Sequence, residues 1–246
     1  MQQSPSNDSV PIRPAASLLV LKSTANGVEV LTLQRAKNMR FLPGFLSFPG
    51  GAIDDGDYLI ARERWSGTLQ QQENRDDAVY AAGALRECAE ETGMVFALMD
   101  TSNRPCALAL PAPEQGQLLS GQMSFMDFLN AGPWWIAGGA LRFVGSWTTP
   151  PGVSSRYETR FFACQADEAT ARIRINEQES AWGEWRDPAQ LLQQIQAGTA
   201  KAAPPTVAML KALTECASAE ECMSKLTVLP PSPEELARLA RNLMQQ

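Results

Sequence analysis

The 246-residue sequence predicts an α/β protein on three observations. Two strand-like runs, 17–22 (SLLVLK) and 28–33 (VEVLTL), flank Asn26-Gly27, a strong short hairpin signal. A helical pattern with small apolar residues on one side starts near Asp76-Asp77 and stops at Gly93. Further strand-like runs, 95–99, 141–147 and 157–164, follow that helix, and a second helix at 189–196 comes after them. Strands before and after a helix in this order describe helices layered on a sheet.

Composition narrows the class. Hydrophobic residues at 44% and charged residues at 20% describe an ordinary globular protein, and a net charge of −6 argues against a general nucleic-acid or anionic-membrane surface. There is no histidine, which excludes imidazole bases, Ser-His triads and His-bearing zinc sites. Acid/base work must then fall to carboxylates, Lys, Tyr or Cys. The five cysteines (88, 106, 164, 216 and 222) form no C-x-x-C and read as reduced thiols, most of them small core residues. No signal-like start and no apolar run near the ~18 residues of a membrane span are present, so a cytoplasmic protein without membrane partners is expected.

Taken in order, residues 1–13 are polar and proline-containing and read as a flexible tail, 14–200 as one domain, and 201–246 as a C-terminal helical extension. A strand at 44–48 runs into Pro49-Gly50-Gly51, a turn whose backbone can approach a ligand or metal, with Gly50 the candidate contact. Residues 58–75 begin with a helical turn at 58–62, become polar, and read as a surface excursion beside the site. The stretch 100–133 reads as irregular except for a short helix at 125–129. Helical patterns at 206–217 and 233–244 are each announced by proline. They could cover the core or form a homodimer surface, and the sequence does not choose.

The chemistry concentrates in Arg86-Glu87-Cys88-Ala89-Glu90-Glu91-Thr92-Gly93-Met94. At about 100° per residue, Glu87, Glu90 and Glu91 share one helix face within about 100° of arc. No lysine relieves their repulsion one turn away, and Arg86 can neutralise only part of it. Carboxylate oxygens without imidazole or thiolate suit Mg²⁺ or Mn²⁺. Gly83 lies one turn earlier on the same face, where a missing side chain leaves room for a ligand or for the preceding loop, or is merely tolerated.

Together with Phe48-Pro49-Gly50-Gly51 and Asp57, this stretch resembles the Nudix box, G-x5-E-x7-R-E-U-x-E-E-x-G-U. Gly51 takes its first position, and Arg86, Glu87, Glu90, Glu91, Gly93 and Met94 match in order. Asp57 stands where the family has Glu, and 28 residues (58–85) separate it from Arg86 where the box has 7. That leaves open whether Asp57, Asp76 or Asp77 pairs with Arg86. The resemblance implies an α/β/α sandwich with a mixed sheet and a metal-dependent hydrolase of a nucleoside diphosphate derivative. Arg86, Glu87, Glu90 and Glu91 would be its catalytic residues, and Gly50, Glu87, Glu90 and Glu91 its metal ligands. A divalent ion there can neutralise phosphate oxygens and acidify water without histidine. In Nudix proteins a glutamate before a Trp-bearing strand often acts as base or extra ligand, which points to Glu179 or Glu177.

Residues 31–51 are also similar to the signature of coenzyme A diphosphatases, L-L-T-x-R-[SA]-x3-R-x3-G-x3-F-P-G-G. Arg35, Ala36, Arg40, Gly44 and Phe48 to Gly51 match in register, while Thr32 and Leu33 hold the L-T positions in swapped order. This resemblance implies cleavage of CoA or acyl-CoA to 3′,5′-ADP and a phosphopantetheine, with Arg35, Arg40, Gly44, Phe48 and Gly51 binding substrate. Guanidinium groups suit the 3′-phosphate of CoA. The alternatives are NADH or ADP-ribose as substrate, or a Nudix-fold module that binds a nucleotide without cleaving it.

Overall fold

A computed structural model describes residues 10–152, 154–166, 173–232 and 234–235. The first half of the chain comprises β1 (Ile12–Thr24), β2 (Gly27–Arg35), β3 (Phe45–Ser47), β4 (Gly50–Ala52), α1 (Asp55–Glu63), β5 (Trp65–Ser66), α2 (Asp77–Thr92), β6 (Met94–Met99) and β7 (Pro105–Ala109). The second half comprises α3 (Ala112–Leu119), α4 (Phe125–Ala131), β8 (Trp135–Ala137), β9 (Leu141–Thr148), β10 (Arg156–Gln165), β11 (Ser180–Arg186), α5 (Pro188–Gln196), β12 (Lys201–Ala202), α6 (Pro204–Leu213) and α7 (Ala219–Lys225).

Strand β1 is central because its run Leu18-Leu19-Val20-Leu21 is apolar on both alternating faces, and a strand of that kind needs cover on both sides. Leu18 and Val20 pack with Ala81, Ala84, Leu85, Cys88 and Ala89 of α2. Leu19 and Leu21 face the opposite way, onto Leu191 of α5 and Met209, Leu210 and Leu213 of α6. The outcome is helix, sheet, helix, as the sequence predicts.

The large sheet is mixed. Its strands run in the order β12-β3-β2-β1-β10-β9, with β11 also paired to β2 and β4 to β1. β1 is antiparallel to β2 from Leu21↔Val30 to Thr24↔Gly27, and parallel to β10 from Ile12↔Arg156 to Leu21↔Gln165. Ile12 and Arg13, in the stretch read as tail, therefore already belong to a strand.

The insertion departs further from expectation. Its helix α1 packs on α2 with Ile60 buried, Leu69 is buried beyond it, and β5 pairs with β8 in a second sheet ordered β5-β8-β6-β7. Residues 58–69 thus contribute a packed helix and strand, while 71–75 are exposed, the surface excursion expected of this stretch. Two-residue strands such as β5 are too short to show a period. β7 and α3 lie in the stretch read as irregular, whereas α4 is the helix predicted at 125–129, longer by two residues. The pattern at 206–217 resolves into α6, and α7 follows under a Ser218 cap whose hydroxyl accepts from the Glu221 N–H. The pattern at 233–244 falls outside the described residues except for Glu234 and Glu235.

Helix α2 is fixed at both ends. At its start Arg160 of β10 donates to Asp76 Oδ1 at 2.8 Å and Asp77 Oδ1 at 2.7 Å, with its guanidinium 3.8 Å from the Tyr80 ring centre. Asp77 is fully buried and also accepts from the Glu73 and Asn74 N–H groups. At its end Gly93 adopts φ 66°, a left-handed stop that costs glycine little, and donates to Ala89 O. Arg160→Ala would leave a buried carboxylate without its counter-charge, so urea denaturation should show a loss of about 3 kcal/mol. A loss below about 1 kcal/mol would mean that the two backbone donors satisfy Asp77 alone.

Candidate active site

Helix α2 is far more buried than an amphipathic surface helix, because α1, the large sheet and β6 enclose it; from Asp77 onward only Ala78, Glu87 and Glu90 are not buried. The acidic face is therefore the edge of a core. Glu91 is only 5% exposed, so one of the three carboxylates that share this face is buried.

Arg86 organises this edge. Its Nε and Nη2 donate to Asp57 Oδ1 and Oδ2 at 3.0 and 3.1 Å, a two-pronged bond onto a carboxylate with no solvent exposure. Nη2 also donates to Ala52 O at 2.8 Å, while Nη1 donates to Glu87 Oε1 at 2.9 Å and Glu90 Oε2 at 3.4 Å. Asp57 is thus the acid that pairs with Arg86, and Asp76 and Asp77 belong to Arg160. Asp57 reaches inward because it sits in the first turn of α1, where Asp54 caps the helix and Asp57 Oδ2 accepts from the Asp54 N–H.

Two glycines admit the carboxylates. A Cβ on Gly51 would lie 2.4 Å from the Glu87 carboxyl carbon, so that carboxylate rests against bare backbone. A Cβ on Gly50 would lie 2.3 Å from Ala16 O, and the Gly50 N–H donates to Glu91 Oε2 at 3.0 Å. Gly83 serves the preceding loop, not a ligand: Ile53 and Asp57 occupy the space its side chain would fill. Burial, then the Glu87 charge, push Glu90 up to about 7. The same two causes hold Glu91 well above the usual carboxylate range, and burial also raises Glu87, against the pull of Arg86.

These groups border a cleft of about 380 Å³ lined by Glu87, Glu91, Glu179, Arg35 and the Gly50-Gly51 backbone, with Phe41, Phe48 and Tyr157 among its apolar surfaces. Glu179 is brought in because the loop before β11 is tied to the end of α2: Asn176 N–H donates to Glu91 O, and Gln115 bridges Glu90 O and Arg174 O. Glu177 is exposed and does not line the cleft. Of the other sequence candidates, Arg35 and Phe48 do line it. Arg40 is exposed, and neither it nor Gly44 contributes to the lining; Gly44 instead turns the chain at φ 76°. Met39, Phe41, Tyr157, Thr159 and Thr206 line the cleft without having been singled out in the sequence. Tyr157, Thr159 and Phe161 alternate along β10, so the period of a strand placed beside β1 was the available signal for three lining residues.

No family model matches the chain. The crystal structure of a NUDIX hydrolase from Alicyclobacillus acidocaldarius is 38% identical and aligns with a TM-score of 0.85, covering 89% of this chain and 99% of that one. The chain belongs to the Nudix hydrolase family. Nudix hydrolase 7 of Caenorhabditis elegans is 23% identical over 236 residues, 94% of this chain and 71% of the worm protein. As a Nudix hydrolase this protein is an enzyme, of a family that generally uses divalent metal ions. Among the described residues no helix is long and apolar enough to cross a membrane.

The residues of this Nudix hydrolase suit such an ion by their donor chemistry rather than by a preformed cage. Glu87 and Glu90 are both drawn to Arg86 Nη1, and among the described residues no three Asp, Glu, His or Cys side chains converge in ligating arrangement. The donor chemistry nevertheless fits. Glu91 is buried with a single backbone donor, Glu87 and Glu179 line the same cleft, and Arg86 is shared with Asp57, so ionising these carboxylates together carries a cost that a cation would offset. An oxygen-seeking cation is the partner such a set takes.

Gly51→Ala should displace the Glu87 carboxylate while leaving the hydrophobic clusters untouched. Turnover is expected to fall at least tenfold with circular dichroism unchanged, and a wild-type rate would show that the position of Glu87 does not matter.

Proposed function

We propose that this Nudix hydrolase cleaves the diphosphate of a nucleotide conjugate, and that the conjugate is coenzyme A or an acyl-CoA. The carrying observation is the composition of the cleft lining. It combines Glu87, Glu91, Glu179 and the Gly50-Gly51 backbone with Arg35 and the aromatic pair Phe41 and Tyr157, whose ring centres lie 5.5 Å apart. A nucleotide conjugate calls for the same combination, a diphosphate joined to a planar base.

On this reading Glu87, Glu90 and Glu91, with the Gly50 backbone, hold Mg²⁺ or Mn²⁺. When bound, the ion supplies charge neutralisation at the diphosphate oxygens and acidifies water. Arg86 acts through the glutamates, keeping Glu87 and Glu90 on one side of α2 while Asp57 anchors its other end. Glu179, half-buried in the cleft, is positioned to take a proton from the attacking water. Arg35 holds its Nε on Phe41 O at 3.0 Å and lines the cleft, which suits it to the 3′-phosphate of CoA. Arg40, outside the lining, drops from that role.

The identifying experiment is a phosphate-release screen with added Mg²⁺ or Mn²⁺ over CoA, acyl-CoAs, dephospho-CoA, NADH and ADP-ribose. CoA should be preferred over dephospho-CoA. Arg35→Ala should lower kcat/KM for CoA by roughly 10- to 100-fold, the loss of one charge-assisted bond, and leave dephospho-CoA cleavage near wild type. Equal handling of both substrates by the wild type would move the assignment to another nucleoside diphosphate derivative. Glu90→Gln and Glu91→Gln, like chelation of the metal, should each cut turnover by orders of magnitude, and near wild-type rates at saturating Mg²⁺ would remove the metal assignment. Glu179→Gln should act mainly on kcat; an unchanged kcat would take the base role away from it.

A further inference from the structure

The C-terminal segment does more than cover the sheet. β12 pairs in parallel with Phe45 and Leu46 of β3, which delivers the start of α6 beside the strand leading into Phe48-Pro49-Gly50. Pro204 and Pro205 open the helix and carry no N–H, and the Val207 N–H is already bonded to Ala203 O at 3.0 Å. Thr206 is left as the one position in this first turn whose backbone N–H has no acceptor among the described residues.

Its side chain is unpartnered as well. Thr206 is only 7% exposed, lines the cleft, and its hydroxyl makes no hydrogen bond among the described residues. The other two buried threonines behave differently: Thr32 donates to Val30 O at 3.2 Å and Thr92 to Cys88 O at 2.6 Å. Among the described residues Trp185 Nε1 is the buried side-chain polar atom without a partner, so the Thr206 hydroxyl is accessible to solvent although the residue as a whole is buried, and it is free to bond a ligand in the cleft. Here the hydroxyl and the N–H belong to one residue in the first turn of a ten-residue helix, in a cleft where Arg35 is the one cationic side chain of the lining among the described residues. Two neutral donors at a helix N-terminus suit an anionic oxygen.

We infer that Thr206 is a substrate-binding residue, donating its hydroxyl and N–H to a phosphate oxygen of the nucleotide, so that the segment from β12 into α6 completes the cleft. The inference rests on the nucleotide-diphosphate reading of the cleft given above. It adds a specificity contact contributed from outside the Nudix box and outside the arginine-bearing segment.

The test compares Thr206→Val, which keeps the shape and removes the hydroxyl, with Thr206→Ser, which restores it. For the best substrate of the release screen, Thr206→Val should raise KM about tenfold with kcat changed less than twofold, and Thr206→Ser should return KM to within about threefold of wild type. An unchanged KM in Thr206→Val, or an equal rise in both variants, overturns the inference. Calorimetric titration with ADP separates this from failure of the proposed reaction. If the wild type cleaves nothing in the screen but binds ADP about tenfold more tightly than Thr206→Val, the contact stands and the reaction assignment falls. If the wild type does not bind ADP, or both proteins bind it equally, the contact falls. Should Thr206→Val not fold, Thr206→Ala against Thr206→Ser carries the same comparison.

Discussion

The two-pronged bond between Arg86 and Asp57 is the interaction on which the site depends. A guanidinium cannot shed its charge, and Asp57 has no access to solvent, so each is tolerable in the interior only with the other present. Because Nε and both N–H groups of Nη2 are taken by Asp57 and Ala52 O, the direction of Nη1 is fixed, and it points at Glu87 and Glu90. The glutamates are thereby positioned from the protein side, leaving only their far side for a ligand. The same geometry explains why α1 is packed tightly on α2: the acid that anchors Arg86 is carried by that helix and reaches it from across the packing interface.

Crowding of negative charge is the second constraint. Burial raises the pKa values of Glu87, Glu90 and Glu91, the Glu87 charge raises the latter two further, and one shared arginine does not offset them all. A fold selected for stability alone would replace such a set with apolar residues of similar volume, since burying charge brings no net gain. Its presence at the edge of a cleft is the pattern of a site kept poised for a cation and a polyanion. Close backbone approach at Gly50 and Gly51 is the local adaptation that makes room for it.

Two-sided burial of β1 sets the rest of the architecture. Leu18 and Val20 require α2 on one face, and Leu19 and Leu21 require α5 and α6 on the other. The second requirement draws the C-terminal segment back across the sheet, where β12 pairs with β3 and Thr206 arrives in the cleft. Covering the core and finishing the site are in this way done by one stretch of chain. Arg142 of β9 secures the region beyond it, donating to Leu226 O and Met223 O.

The sequence by itself determined the elements whose signal is local: the hairpin at Asn26-Gly27, the span of α2 from its aspartates to Gly93, and the glutamate spacing that puts three carboxylates on one helix face. Side-chain period and turn chemistry act over a few residues and can be read without a fold. Only the tertiary structure decided the pairings across distance. Asp57, Asp76 and Asp77 were equivalent partners for Arg86 in the sequence, and packing of α1 on α2 and of β10 on β1 assigned the first to Arg86 and the other two to Arg160. Likewise Arg35 and Arg40 matched one pattern equally well, yet only Arg35 lines the cleft, because it ends β2 facing the site while Arg40 lies in the exposed turn beyond it. Which charges meet depends on how separate elements pack, and residue spacing along the chain carries no information about that.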